Sequence, residues 1–237
     1  MPDIPLPPLI EVAPSPHVAE PTSTTRRMMI DVLIAMLPVL VMAVVVFHWY
    51  AVVQMGMCVL CCLITEAVCC RVRGQPIPIG DYSATVTGVI LGLSLPWAAP
   101  WYISVLASVV AIGLGKFVFG GLGYNLFNPA MVGRAFVMLS FARELGAAAY
   151  VVLHSNLEIL TQPTPLTFAK EATRALGAES FWPLFVGQVN GSPGETSAVA
   201  LMIGGLYLCI RRSAAWGIPA GMLLAGFLTA EGLYAAG

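Results

Sequence analysis

The sequence is short of charged residues. Only 10% of its 237 residues are charged and 58% are hydrophobic, whereas a soluble domain carries roughly 25% charged residues. With a mean hydropathy of +0.86, this balance excludes a water-soluble globular fold. The chain also lacks an excess of basic residues, because 11 Lys and Arg face 12 Asp and Glu. This near-neutral balance excludes a nucleic-acid backbone as the partner.

Histidine and cysteine patterns typical of metal sites or disulfide frameworks are absent. The three histidines, His17, His48 and His154, are scattered along the chain, and no metal site is expected. Cys58, Cys62 and Cys69 share one helical face, but a single continuous helix cannot surround an iron-sulfur cluster. We therefore expect these cysteines to pack against lipid or a partner helix. All six cysteines lie in apolar stretches, which argues against disulfides: Cys58, Cys61, Cys62, Cys69, Cys70 and Cys209.

Long apolar runs dominate what the chain does contain, and they predict an all-α, polytopic membrane helix bundle. Residues 1–29 are rich in proline and lack the order of a cleavable signal peptide, so they are expected to form a soluble arm. Apolar segments follow at about 30–48, 51–70, 84–96, 101–119, 129–142, 196–210 and 214–235.

Two of these segments are too short to cross a bilayer. Segments 84–96 and 129–142 would each span only about 20 Å as helices, against a hydrocarbon core of roughly 30 Å. The second is preceded by Asn128 and begins with Pro129, a typical helix start. Broken helices tend to line a ligand cavity, so both are predicted half-helices near a site. The alternative is re-entrant packing without a ligand.

The basic residues indicate a topology with a cytoplasmic N-terminus. Three basic residues, Arg143, Lys170 and Arg174, are expected on the outer side, and Arg134 is expected at or near the inner face. Eight of the eleven basic residues are then on the inner side and three on the outer side. The other inner residues are Arg26, Arg27, Arg71, Arg73, Lys116, Arg211 and Arg212. We expect four domains: a cytoplasmic arm (1–29), a first membrane unit (30–142), an outer loop (143–195) and a second membrane unit (196–237).

Carboxylates inside apolar spans are candidates for an ion or proton path. Glu66 lies within the second segment and Glu231 within the last, whereas Asp31 is expected at the membrane interface. A hydrogen bond between helices is the alternative for Glu66 and Glu231.

Collinear motifs then carry a family resemblance over about residues 15–216. They are SPHV, an apolar helix containing Pro38, GDYSATVTGVILGLSLPWAAPWY, GYNLFNPAMVGRAF, TPLT and GSPGETSAVALMIGGLYLCIRR. Their order resembles the D subunit of the Rnf electron-transport complex. It is similar, more distantly, to the B subunit of the sodium-pumping NADH:quinone oxidoreductase.

The resemblance implies an FMN joined by a phosphoester to a threonine on the outer side of the membrane. In the family, a Ser or Thr lies three residues before the acceptor Thr, and an apolar residue follows the acceptor. This pattern falls on Thr161 and on Thr164 as the acceptor, followed by Pro165 and Leu166. Gln-Pro replaces the family's Gly-Ala in this frame, so Thr167 is the alternative acceptor. Without the resemblance, the three threonines would be interpreted as a capped, proline-punctuated loop.

The resemblance also implies a second, noncovalent flavin, either riboflavin or FMN, near the polar groups of the two motifs around the half-helices. Such groups normally face a cavity or a partner in a membrane protein, and polar contacts between broken helices are the alternative. The residues are Asp81, Ser83, Thr85, Thr87, Asn125, Asn128 and Arg134.

The resemblance implies a flavoprotein subunit of a complex that couples electron transfer between ferredoxin and NAD to Na⁺ or H⁺ transport. No residue is assigned a catalytic role. Expected partners are other membrane and peripheral subunits carrying flavin and iron-sulfur centres, and a flavin transferase. The location is a bacterial cytoplasmic membrane with a periplasmic flavin loop. Family members continue through further helices, so the chain is expected to be shorter than their full length. Alternatives are a broken-helix ion or solute transporter without a redox centre, or a structural membrane subunit.

Overall fold

A computed structural model describes residues 24–75, 79–96, 99–145, 151–153, 159–161, 185, 192–195 and 197–236. Within these ranges the chain forms seven α-helices of twelve or more residues, and each coincides with one predicted apolar segment. The helical fold class is therefore confirmed. The helices are α1 (Thr25–Phe47), α2 (Trp49–Val72), α3 (Ser83–Ser94), α4 (Trp101–Ile112), α5 (Pro129–Ser140), α6 (Ala198–Ile210) and α7 (Gly217–Ala236).

Helices α1 and α2 are long and apolar enough to cross a membrane. Thr24 caps α1, since its hydroxyl accepts a hydrogen bond from the Arg27 amide at 3.4 Å. His48 separates the two helices and has a φ of 55°, a left-handed backbone value that interrupts helical geometry. Many large apolar side chains of α1 and α2 are exposed, including Val41, Val45 and Leu60, as expected of surfaces that face lipid.

The two predicted half-helices are confirmed as short elements. Helices α3 and α5 have 12 residues each, which corresponds to about 18 Å. The Asn128 carboxamide oxygen caps α5 by accepting a hydrogen bond from the Ala130 amide at 3.0 Å, and Pro129 occupies the first turn. Helix α4 is also short and continues as a π-helix over Gly113–Phe117.

Helix α2 packs against α3 and α4, α5 packs on α4, and α6 lies on α1. Small residues permit the closest contacts. A Cβ atom on Gly88 of α3 would lie 2.5 Å from the Val59 Cα atom of α2, and one on Gly204 of α6 would overlap the Ala35 carbonyl oxygen of α1. Larger side chains at these two positions would force the helices apart.

The buried positions of α2 recur every four residues, so the buried face drifts around the helix. Cys58, Cys62 and Cys70 are buried, whereas Cys61 and Cys69 are only partly buried. Cys58, Cys62 and Cys69 lie in one continuous α-helix, as predicted, but the row of buried positions from Gln54 onward recurs every four residues and therefore ends on Cys70 rather than Cys69. Their burial against neighbouring helices agrees with a packing role.

The predicted outer loop contains a short hairpin. Strand β1 (Val151–Leu153) pairs antiparallel with β2 (Ile159–Thr161), with Val152 opposite Leu160. Val, Ile and Thr favour this extended conformation.

Candidate functional site

Glu66 of α2 and Lys116 of the π-helix form an ion pair inside the bundle. Their side chains are only 2% and 3% exposed, and the Lys116 ammonium donates to the Glu66 carboxylate. Each charge alone would be costly to bury, and their mutual contact offsets part of that cost. The sequence position of Glu66 predicts an ion-path residue or a helix-helix contact. The structure shows the contact.

The π-helix determines where Lys116 sits. The Val118 amide donates to the Gly113 carbonyl at 3.1 Å, which is the five-residue spacing of a π turn. One extra residue in this turn changes the direction of the side chains that follow. Lys116 was expected among the basic residues at the inner face, but it lies buried in the bundle.

Ser83 and Asp81 extend the ion pair toward the start of α3. The Lys116 ammonium also donates to the Ser83 hydroxyl oxygen, with Nζ and Oγ 2.5 Å apart. The Ser83 amide and hydroxyl each donate to the Asp81 carboxylate at 2.9 Å. We call Glu66, Lys116, Ser83 and Asp81 the inner polar cluster; it joins three separate parts of the chain through charge-assisted hydrogen bonds.

A cavity of about 330 Å³ adjoins the inner polar cluster. Its lining combines charged and amide side chains with apolar ones. The guanidinium of Arg73 lies 5.4 Å from the ring centre of Phe117, which also lines the cavity. The lining residues are Glu66, Cys70, Gln75, Asp81, Lys116, Phe117, Gly120, Gly121 and Leu122.

Buried polar contacts continue between α2 and α4 away from this cluster. The side-chain amide of Gln54 donates a hydrogen bond to the Ser104 hydroxyl at 2.8 Å. The Ser108 hydroxyl lies 2.8 Å from the Ser104 carbonyl oxygen and 3.3 Å from that of Cys58. These bonds satisfy polar groups that would otherwise be unpaired inside the bundle, and they fix the register of the two helices.

Arg134 lies at the other end of α3, in what we call the outer polar cluster: Arg134, Glu195 and Ser192. Both terminal nitrogens of Arg134 are 3.4 Å from the Glu195 carboxylate. The Gly194 amide donates to the Leu93 carbonyl at 2.8 Å, which docks this segment against the last turn of α3. The Ser192 hydroxyl, in the turn that carries Glu195, is fully buried and has no hydrogen-bond partner in the described part of the chain.

The expectation that Arg134 lies at the same face as Arg211 is wrong. Arg211, at the end of α6, pairs with Asp31 near the start of α1 at 3.2 Å, whereas Glu195 precedes the start of α6. One helix therefore separates the two charged contacts. When Arg134 is assigned to the outer side, the expected division of the basic residues becomes seven on the inner side and four on the outer side.

Asp31 was expected at the membrane interface, and the structure buries it between helices. Its carboxylate accepts hydrogen bonds from Arg211 at 3.2 and 3.3 Å, Ser213 at 3.1 Å and Tyr207 at 3.4 Å. These contacts join the start of α1 to the end of α6. Glu231 is exposed on α7.

The residues predicted around a second flavin do not meet at one place. Ser83 belongs to the inner polar cluster and Arg134 to the outer one. The Thr87 hydroxyl donates to the Ser83 carbonyl at 2.9 Å, and Asn128 caps α5. The Asn125 carboxamide oxygen is buried without a hydrogen-bond partner.

The predicted flavin acceptor lies outside the described residues. Thr164, Pro165, Leu166 and the alternative acceptor Thr167 belong to this undescribed part, and Thr161 is the last residue of β2. Over the ranges with described geometry, no group of three or more His, Cys, Asp or Glu side chains could hold a metal ion.

The sequence identified the unusual charged residues Glu66 and Arg134 but not the residues that they contact. Lys116 and Glu66 are opposite charges beside or within apolar spans, and this signal alone could have suggested that they pair. Glu195 gave no comparable signal, because its proximity to Arg134 depends on how the segment before α6 docks on α3.

Residues 11–236 match the family described as NQR2, RnfD, RnfE. The chain is 42% identical over 217 residues to the D subunit of the Na⁺-translocating ferredoxin:NAD⁺ oxidoreductase complex of Acetobacterium woodii, covering 91% of the chain and 67% of that relative.

Two further relatives have lower identity and similar coverage. The D subunit of an ion-translocating oxidoreductase complex of Halorhodospira halophila is 36% identical, covering 90% of the chain and 68% of the relative. The D subunit of the proton-translocating ferredoxin:NAD⁺ oxidoreductase complex of Clostridium ljungdahlii is 34% identical, covering 93% and 69%. The chain thus spans about two thirds of the length of these relatives.

Proposed function

The chain belongs to the NQR2, RnfD, RnfE family, and from this membership we propose that it is the membrane flavoprotein subunit of an ion-translocating ferredoxin:NAD oxidoreductase. The observation that carries the proposal is 42% identity to the D subunit of such a complex over 91% of the chain. The resemblance noted in the sequence motifs is confirmed at the level of the family. The redox activity belongs to the whole complex, in which this chain is one subunit.

Thr164 is the proposed attachment point of FMN. A threonine hydroxyl can form an ester with the flavin phosphate, with formal loss of one water, and the resulting diester keeps one negative charge. The bound flavin supplies the electron chemistry, while the protein supplies position and electrostatics. A covalent tether also holds the cofactor at high effective concentration through repeated turnover.

The described residues offer a polar environment that fits such a group. The outer polar cluster combines a basic side chain with a buried hydroxyl that has no hydrogen-bond partner among the described residues. Buried polar groups are normally paired, so a partner for this hydroxyl is expected from the undescribed part of the loop or from a ligand. The undescribed segment that contains Thr164 spans residues 162–184, within the predicted outer loop.

The proposed topology puts the N-terminal arm in the cytoplasm and the 143–195 loop outside a bacterial cytoplasmic membrane. With Arg134 counted outside and Lys116 buried in the bundle, six of the eleven basic residues stay assigned to the inner face against four outside, which agrees with the positive-inside rule. A flavin transferase acting outside the cytoplasm would have access to Thr164 in this arrangement.

The inner polar cluster is the proposed point of contact with the transported ion. Glu66 is an acceptor for a proton or a small cation, and the adjacent cavity leads to it. Lys116 neutralises Glu66 when no ion is bound. Since the relatives' names include both a sodium-translocating and a proton-translocating complex, the proposal covers Na⁺ or H⁺.

A second, noncovalent flavin, either riboflavin or FMN, is part of the proposal. The unpaired Asn125 carboxamide oxygen supports it, because this buried acceptor is available to an N–H or O–H donor of a ligand. Proposed protein partners are the other membrane and peripheral subunits of the complex, with their flavin and iron-sulfur centres.

Two functions from other classes compete with this proposal. A broken-helix ion or solute transporter would use the inner polar cluster without a redox centre, and a structural subunit would use neither cluster. Both would leave the threonine loop unmodified, so covalent flavin distinguishes them from the proposed flavoprotein.

The test is in-gel flavin fluorescence of the denatured subunit. We expect fluorescence in the wild type and in Thr167→Val, and its loss in Thr164→Val, because only the latter removes the acceptor hydroxyl. The two variants are matched in chemistry and differ by three positions. Fluorescence lost only in Thr167→Val would move the site, and a wild type without covalent flavin would refute the flavoprotein proposal.

A further inference from the structure

The charged residues around the cavity beside the inner polar cluster do not balance. Among the described residues that line it, Glu66 and Asp81 carry negative charges and Lys116 carries a positive one, which leaves a net charge of −1. Arg73 lies against the ring of Phe117 but is exposed, and exposed charges are screened by ions in the solvent. An uncompensated charge inside a helix bundle is costly, so one further monovalent cation would balance the cavity.

The Lys116 ammonium occupies the place where such a cation would bind. It donates hydrogen bonds to the Glu66 carboxylate and to the Ser83 hydroxyl oxygen, which lies 2.5 Å from Nζ. The Ser83 hydroxyl in turn donates to the Asp81 carboxylate at 2.9 Å. Oxygen atoms of this kind are the ligands that hard metal cations take in proteins. Lys116 and a metal cation would therefore compete for the same oxygen atoms.

Lys116 has both the room and a second partner that it needs in order to leave Glu66. Its ammonium is carried on a flexible four-carbon stem, and the cavity beside it has a volume of about 330 Å³. One water molecule needs only about 10–15 Å³ of such space, so the ammonium has room to move. Asp81 lines the same cavity, one hydrogen bond beyond Ser83, and offers the ammonium a second carboxylate.

We propose that Lys116 is a tethered counter-ion that a monovalent metal cation displaces from Glu66. The metal ion takes the position of the ammonium between Glu66 and Ser83, and the ammonium moves to Asp81. Two carboxylates then face two positive charges, so the cluster is neutral, whereas a divalent cation would leave a surplus positive charge. This inference rests on the proposed ion contact at the inner polar cluster, and it assigns to Lys116 the control of cation binding there.

The experiment uses Na⁺ as the probe and compares the thermal stability of the subunit in sodium chloride and in choline chloride at equal ionic strength. Stability is measured as the temperature at which half of the subunit aggregates in the detergent-solubilised complex. Lys116→Met should be destabilised in choline chloride, because Glu66 is then buried without a cation, and sodium chloride should restore most of the wild-type temperature. The half-saturating sodium concentration should be roughly tenfold lower than in the wild type, since no ammonium competes for the oxygen atoms.

Two control variants separate a cation site from a general effect of salt. Glu66→Gln combined with Lys116→Met has no charge at the pair, so its stability should be equal in the two salts. Arg211→Met deprives the buried Asp31 carboxylate of its arginine but leaves the hydroxyl donors of Tyr207 and Ser213. This variant should lose stability to the same extent in both salts.

Asp81→Asn keeps the proposal testable if Lys116→Met does not assemble. Asp81 is only partly buried, so its replacement by a neutral side chain of the same shape should be tolerated. The substitution removes both the net negative charge and the second carboxylate for the ammonium, and it should abolish the stabilisation of the subunit by sodium. Glu195→Gln, which neutralises a carboxylate that is 57% exposed, should keep the wild-type response.

Equal stability of Lys116→Met in the two salts would overturn this inference. If that variant does not assemble, a wild-type sodium response in Asp81→Asn would overturn it instead. The proposed function has separate tests, namely covalent flavin on the denatured subunit and ion transport per electron in Glu66→Gln. Covalent flavin with reduced transport in Glu66→Gln, but without sodium rescue of Lys116→Met, would leave the proposed function standing and remove this inference alone.

Discussion

The Glu66–Lys116 pair is the residue-level feature with the greatest energetic consequence. Removing one partner of a buried ion pair costs about 3–5 kcal/mol, because the other charge stays buried without compensation. Replacing both charges by neutral groups costs much less. The pair therefore allows a structural role and a transport role to be separated by substitution.

We expect Glu66→Gln to lower the thermal stability of the subunit and the ion transport per electron, measured in vesicles. The double variant Glu66→Gln with Lys116→Met should recover most of the stability but not the transport. Flavin content should stay constant in both, because Leu145 and Gly194, which flank the predicted flavin loop in the chain, lie at the opposite end of α3 from Glu66.

Asp31→Asn is the matched control, since Asp31 is also a buried carboxylate with an arginine partner. It should lower stability and leave transport per electron unchanged. Full recovery of transport in the double variant would show that Glu66 is a packing residue, and the ion route would then lie elsewhere.

At the scale of elements, hydropathy and proline placement were sufficient to predict all seven helices. Apolar length correctly predicts α3 and α5 as short elements, and Asn128 with Pro129 correctly predicts the start of α5. The π turn at Gly113–Phe117 could not be predicted, because it follows from how α4 packs against α5. A Cβ atom on Gly115 would lie 2.9 Å from the Pro129 Cα atom.

The arm and the outer loop should lie on opposite sides of the membrane. In a variant without the six native cysteines, a membrane-impermeant maleimide added to intact cells should label Ser155→Cys. It should leave Ser23→Cys unlabelled until the membrane is permeabilised, because basic residues concentrate on the arm's side.

Permeabilised cells provide the control that both thiols can react. Labelling of Ser23→Cys alone in intact cells would reverse the topology and place Thr164 on the cytoplasmic side. The proposed route of flavin attachment would then fail as well.

At the scale of the whole molecule, α3 separates two polar clusters with different proposed tasks. Ser83 at its first residue belongs to the inner polar cluster, and Leu93 near its end anchors the segment that carries the outer one. Ten residues separate these two positions, which is about 15 Å along the helix. This arrangement puts the proposed ion contact and the proposed flavin site at opposite ends of one half-helix.

The sequence predicted which residues are unusual but not which of them meet. Glu66 and Arg134 stand out because charge is rare in apolar helices. Their partners Lys116 and Glu195 are 50 and 61 residues away in the chain. Such contacts depend on helix register and on a docked turn, and neither leaves a periodic signal in a single sequence.

The central claim is that Thr164 carries FMN, and the mass of one peptide tests it most directly. Trypsin cleavage after Arg143 and Lys170 releases residues 144–170, which contain Thr161, Thr164 and Thr167. In the subunit purified from membranes that contain the flavin transferase, we predict a mass increase of one FMN minus one water, with fragmentation that assigns it to Thr164. An unmodified peptide from the same preparation would contradict the account.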